Sequence, residues 1–202
     1  MPVSAYKDIR ERVRRSVRDT FDMVWSDADI DRIINEAQRE YAIVSGSLIG
    51  KVAVTIPSNG VFVAPDNFIE PVSFVGTDGM KMPLYSWRYL HDLYPDFRNV
   101  PGSEIRGLVD DFDGFGKFRA FPKVPGGTMV GTLCYKRFPE KDKLETTNIG
   151  AIEQHCLFQM FLLMGNGVAG DYYRNFITAI NREGVAQRGM KNHSNIRRGR
   201  FF

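Results

Sequence analysis

The chain has 202 residues, 43% of them hydrophobic and 25% charged, the balance of a folded globular protein and enough chain to bury a core without disulfide or metal staples. That composition excludes disordered and collagen-like classes. The formal net charge is only +3, but residues 1–20 carry six basic groups against three acidic ones, residues 188–202 carry five and no acid, and the rest sums to −5.

Proline maps the chain. Nine of the ten prolines lie between Pro57 and Pro139 and the tenth is Pro2, so helical ends flank a middle rich in turns and strand edges. A first helix is predicted over Ala5–Asp19, where Tyr6, Ile9, Val13 and Val17 form a narrow apolar stripe. Arginines fill most of its other positions, and Arg10, Arg12, Arg14, Arg15 and Arg18 are a candidate basic interface. A second helix begins at Ser26, which with Asp29 resembles a capping box. Its stripe is Ile30, Ile33, Ile34, Ala37, Tyr41 and Val44, and Gly46 is its stop.

Strands follow. Lys51–Ile56 and Val61–Ala64 flank Asn59-Gly60, the signal of a β-hairpin. Phe68–Val75, Ile105–Val109, Gly116–Phe121 and Thr128–Phe138 bring the total to about six, and Ser86–Leu93 reads as a short helix stopped by Pro95. Gly150–Met164 is apolar nearly all round, which predicts a helix covered on most sides. Asp171–Ala186 is an amphipathic helix with Tyr172, Tyr173, Phe176, Ile177 and Ile180 on its apolar side. Met190–Phe202 has no periodicity and reads as an extended tail.

The expected fold is therefore α+β: mainly a bundle of about four helices, with an inserted small β-sheet or sandwich and an extended C-terminal arm. The expected boundaries are 1–49 for the N-terminal helices, 50–145 for the β-rich insertion, 146–187 for the C-terminal helices and 188–202 for the arm.

Chemistry is sparse. Cys134 and Cys156 sit in apolar surroundings and read as reduced core residues. No apolar leader follows the start, and the most apolar stretch, Leu157–Met164, is far too short for a membrane span; an intracellular protein, or a component of a particle assembled there, is expected. Of the three histidines, His91 lies on the short helix, His155 reads as a hydrogen-bonded interior or interface residue, and His193 is in the basic tail. No zinc, nucleophile-elbow or phosphate-loop motif occurs. The run Asp110-Asp111-Phe112-Asp113-Gly114 fails the EF-hand template and reads as a turn between strands. No catalytic residue, metal or cofactor is expected, and a hydrolase reading has only that acidic run to rest on.

The tail is the stronger lead. It combines Arg188, Lys191, His193, Arg197, Arg198 and Arg200 with Ile196, Phe201 and Phe202. Arginines pair with carboxylates or phosphates and terminal aromatics fill pockets, so a segment that orders on a protein partner is expected. The alternative is a nucleic-acid-binding module using the same tail and the arginine-rich first helix.

The order of segments carries a resemblance. WSDADIDRIINEAQREYA, TIPSNGVFVAPDNFIEPVSFV, GTLCYKRFPEKDKL, AIEQHCLFQMFLLMG and DYYRNFITAINREG follow one another. In this, the chain resembles the head-to-tail adaptor (connector) proteins of tailed bacteriophages, especially short-tailed ones, over roughly Tyr6–Val185. Pro65-Asp66-Asn67-Phe68 looks like the family's step into a strand. Tyr135, with Phe138-Pro139 and Leu144, looks like its closing strand and exit loop. The resemblance implies a non-enzymatic ring, usually of twelve copies, beneath the portal in the virion neck and assembled in the host cytoplasm. It implies a portal protein above, a tail nozzle or other tail component below, and genomic DNA passing through the lumen. The tail residues would then dock on the portal.

Overall fold

A computed structural model describes residues 3–19, 24–110, 114–123, 128–146 and 148–198, with side chains described from Tyr6 to Gly184 within those ranges. It has two compact units, one formed by residues 1–46 with 139–202 and the other by 47–138.

The first unit holds α1 (Val3–Val17), α2 (Asp27–Ser45), α4 (Ile149–Leu163) and α5 (Ala169–Arg198). The apolar stripes read from the sequence meet in one core. Tyr6, Ile9 and Val13 of α1 pack with Ile30, Ile33, Ile34, Ala37 and Tyr41 of α2. Ala151, Ile152, Cys156, Leu157 and Met160 of α4 and Phe176 and Ile180 of α5 complete it. Val44 instead faces outward, and Ala42 is the buried residue of the last turn of α2. Ser26 caps α2 in a full capping box: its hydroxyl accepts from Asp29 N–H at 3.1 Å and the Asp29 carboxylate accepts from Ser26 N–H. Gly46 ends the helix at φ +57°, a left-handed position that glycine adopts without a Cβ penalty.

The exit segment is tied to α2 by buried and half-buried amides. Asn35 Nδ2 donates to Asp142 Oδ1 at 3.0 Å and Asn35 Oδ1 accepts from Asp142 N–H at 3.0 Å. Gln38 Oε1 accepts from Glu145 N–H at 3.1 Å, while Gln38 Nε2 donates to the Tyr6 hydroxyl at 2.6 Å. Asn148 then caps α4, accepting from Ala151 N–H at 3.0 Å.

The second unit contains β1 (Ile49–Ile56), β2 (Val61–Val63), β3 (Phe68–Gly76), β4 (Lys81–Met82), β5 (Leu84–Ser86), α3 (Trp87–Leu93), β6 (Gly107–Asp110), β7 (Lys117–Phe121) and β8 (Met129–Arg137). They form two four-stranded sheets, β1-β8-β3-β4 and β2-β7-β6-β5. All pairings are antiparallel except β5 with β6. The core draws on both sheets, with Ile56, Phe68, Phe74, Leu133 and Tyr135 from one and Phe62, Leu108, Phe118 and Ala120 from the other. The Phe62 and Phe118 rings stack at 5.0 Å, and Phe68 meets Phe118 edge-on at 5.7 Å. A Cβ at Gly131 would lie 2.4 Å from the Phe74 ring, so β8 must be bare where that ring crosses it. A smaller cluster of Leu90, Phe97 and Val109 seats α3.

Three expectations are corrected. The fold is α+β, but not a four-helix bundle core with a minor insertion: the described residues give five helices and two sheets of four strands. Strands of two or three residues, β4 and β5, have too little sequence to show a period of two. Asn59-Gly60 does not close a hairpin. Pro57 C=O accepts from Gly60 N–H at 2.8 Å in a tight turn, but β1 pairs with β8 and β2 with β7, so the turn carries the chain from one sheet to the other. Finally, the segment after Ala186 is not extended. α5 continues through Arg198, while Gly199–Phe202 lies outside the described residues. Helix propagation from an anchored N-terminal half adds one hydrogen bond per residue and needs no apolar periodicity.

Candidate interaction surfaces

The arginines of α1 separate into two sets. Arg14 is 7% exposed, because it lies on the same helix face as Tyr6 and Arg10 at four-residue spacing. Its Nη1 donates to Trp25 C=O at 2.8 Å and to Asp19 Oδ2 at 3.3 Å, and its Nη2 to Asp27 Oδ1 at 2.7 Å. Asp19, also buried, accepts from the N–H groups of Val24 and Trp25. Arg10 pairs with Asp27, and its Nε lies 2.9 Å from Asp31 Oδ1. Hydrogen bonding to Arg14, aided by Arg10, holds the Asp27 carboxyl below the usual carboxylate range, while burial pushes Asp31 upward.

This network fastens the start of α2 to the end of α1, so Arg10 and Arg14 serve inside the unit and are not open to a partner. Arg12, Arg15 and Arg18 remain exposed. Arg12 approaches Glu153 at 3.9 Å, and Arg15 Nε donates to Glu11 C=O at 3.2 Å. Arg18 sits at φ +60°, just beyond the end of α1.

Of the tail residues, Arg188, Lys191, His193, Ile196, Arg197 and Arg198 lie on the C-terminal part of α5; Arg200, Phe201 and Phe202 lie outside the described residues. Among the described side chains, Glu183 ties α5 to its unit: its Oε2 accepts from the Tyr41 hydroxyl and from Asn148 Nδ2. Helix continues for about 15 residues beyond it, roughly 22 Å at 1.5 Å per residue.

A groove of about 580 Å³ runs along α2, lined by Asp31, Arg32, Asn35, Glu36, Arg39, Lys141 and Asp142 together with Ala28 and Pro139. Three cations and three anions cancel there, so it has no field to select a charged ligand.

His155 is buried among Phe158, Tyr173 and Phe176, with the Phe176 ring 4.8 Å away and edge-on. Its Nδ1 makes no hydrogen bond, against expectation, and burial lowers its pKa to about 4. Burial pushes the Cys156 thiol up, which suits an inert core cysteine. Cys134 is half-buried on β8. Asp110 ends β6 and Gly114 precedes β7; Asp111–Asp113 lie outside the described residues, and among those described no cluster of potential metal ligands occurs. His91 is exposed on α3 beside Trp87.

Of the residues that carried the family resemblance, Pro65–Phe68 meet Tyr135 and Phe138, while Leu144 packs on the helical core. Pro65 C=O accepts from Phe68 N–H at 2.9 Å, in a turn that feeds β3. Asn67 accepts from the Tyr135 hydroxyl at 3.2 Å and from Phe138 N–H at 2.8 Å, joining the strand entry to the strand exit. The chain matches the SU10 adaptor protein family over residues 4–199. It belongs to that family. It is thus a structural bacteriophage adaptor of the head-to-tail type and a component of the virion neck; the match does not select the short-tailed type. No curated protein matches the adaptor in sequence. Among its described residues no helix is long and apolar enough to cross a membrane.

One surface of the adaptor was not singled out by its sequence motifs. Leu162, Leu163 and Met164 at the end of α4, and Val168 before α5, are exposed. The signal was present: no charged residue occurs between Glu153 and Asp171.

Proposed function

We propose that the adaptor is the subunit of a ring, of twelve copies, assembled in the host cytoplasm beneath the portal vertex. It joins portal to tail nozzle or another tail component and leaves a channel for genomic DNA. The C-terminal segment from Arg188 to Phe202 docks on the portal. The observation that carries this reading is the course of α5, which runs on as a basic helix well past Glu183. Residues 188–202 carry five cations and no acid, and such a segment favours an acidic partner surface.

Deleting Asn192–Phe202 tests the reading. The truncated adaptor keeps the far-UV spectrum expected for the lost helical turns alone, but fails to join portals in a pull-down and by electron microscopy. Normal assembly of the truncated chain onto portals overturns the docking role. Absence of rings when the full chain is mixed with portals overturns the ring.

A further inference from the structure

The α4–α5 corner is rigid, and its apolar side chains are held outward. Asn166 N–H donates to Phe161 C=O at 2.9 Å and Gly165 N–H to Leu162 C=O at 3.0 Å, with Gly165 at φ +68°. That is a complete Schellman stop. Asn166 then starts the turn that leads into α5: its Oδ1 accepts from Val168 N–H at 3.1 Å and its C=O from Ala169 N–H at 3.2 Å. Phe161 stacks on Tyr172 at 5.1 Å beneath the turn. A mobile loop hides apolar groups by collapsing, whereas a fully bonded corner cannot. Leu163 is 62% exposed here, within a stretch that lacks charge, and contiguous apolar exposure of this kind marks an interaction site.

α5 leads away from the corner: Arg198, at its far end, lies about 44 Å from Ala169 at 1.5 Å per residue. A second, unlike apolar patch exists on the same unit: Ile43, 51% exposed, and Val44, on the last turn of α2. The two patches lie at opposite ends of the unit. Tyr41 and Asn148 meet at Glu183, which places the end of α2 beside the start of α4. The corner is at the other end of α4, about 22 Å away.

We infer that the two patches are the two halves of one heterologous contact between copies: the Leu162–Val168 corner of one adaptor packs on Ile43 and Val44 of the next. A partner of another kind would cover one patch and leave the other wet. A second copy covers both, each chain using both surfaces, and head-to-tail contacts of this kind close into rings when the rotation permits. The inference rests on the ring reading and names its contact.

Cysteine trapping tests it, in full-length chains with Cys134 replaced by Ser. Leu163→Cys mixed with Ile43→Cys under mild oxidation gives a mixed disulfide at least tenfold above either variant alone and above a Glu36→Cys control on the groove. A Leu163→Cys homodimer as the main product, or mixed yield no higher than the control, overturns the contact. Leu163→Asp, checked for an unchanged circular dichroism spectrum, lowers the trapping of Leu162→Cys with Ile43→Cys tenfold; unchanged trapping likewise overturns it. Rings that still form on portals from Leu163→Asp overturn the contact but leave the ring reading standing, whereas failure of the unaltered adaptor to form rings overturns that reading itself.

Discussion

Replacing Arg14 with Ala tests whether the basic first helix is structural or cationic surface. The substitution removes three bonds from one guanidinium, to Trp25 C=O, Asp19 and Asp27. Asp27 is exposed and rehydrates, so its share is small. Asp19 is buried and keeps its bonds from the Val24 and Trp25 N–H groups, so most of the cost is that of removing the guanidinium from a buried charge. Breaking a buried pair costs about 3–5 kcal/mol. The N–H donors that still face Asp19 put this one at the lower end, about 3 kcal/mol. For a chain of this length that lowers the melting temperature by roughly 6–12 °C. Arg15→Ala, on the exposed face, changes stability by less than about 0.5 kcal/mol. Urea and thermal unfolding followed at 222 nm measure both. If Arg14→Ala costs no more than Arg15→Ala, the network is not holding α1 to α2 and the reasoning is wrong.

Acid sensitivity is a second outcome. Burial lowers the pKa of His155 to about 4, below its unfolded value near 6.5. The unfolded chain therefore takes up a proton over that window while the folded one does not. Stability is full above pH 6.5 and falls as pH drops toward 4, by about 2 kcal/mol at pH 5. Urea midpoints for His155→Phe should be flatter than the parent's between pH 7 and pH 5, and parallel curves would count against the assignment. The Asp27 pairing acts at lower pH, since its contribution is present above the carboxylate range and lost below it. In the β unit, Gly131→Ala drives a methyl into the Phe74 ring and should cost about 1–3 kcal/mol; a neutral result in denaturant melts would contradict the close approach. Ser26→Ala removes the cap of α2 at a cost of about 1 kcal/mol, read in the same melts.

Much of the helical architecture was legible because its signals are local. The stripes Tyr6–Val13 and Ile30–Tyr41 repeat at helical spacing, and Ser26, Asp29 and Gly46 are caps whose partners lie within four residues. Strand positions in β1, β3 and β8 could be read from alternation and β-branched residues. Their pairing could not: Asn59-Gly60 specifies a tight turn, while the neighbours of β1 and β2 are set by β8 and β7, more than 50 residues away in sequence. Exposure of Leu162–Val168 was half legible, since a charge-free helix says that all its sides want cover but not which side the protein leaves bare.

By itself the sequence determined the apolar stripes of the helices, the caps, the lack of catalytic motifs and the uneven charge, with basic ends on an acidic body, because each depends on residue identity or on spacing within a turn or two. Tertiary structure decided what that charge is for. It spent Arg10 and Arg14 on Asp19, Asp27 and Asp31 inside the unit, left Arg12, Arg15 and Arg18 exposed, and set Arg188, Lys191, Arg197 and Arg198 on one helix. A charge is free or committed according to the carboxylates that folding brings within about 4 Å, and that distance is not written in the order of residues.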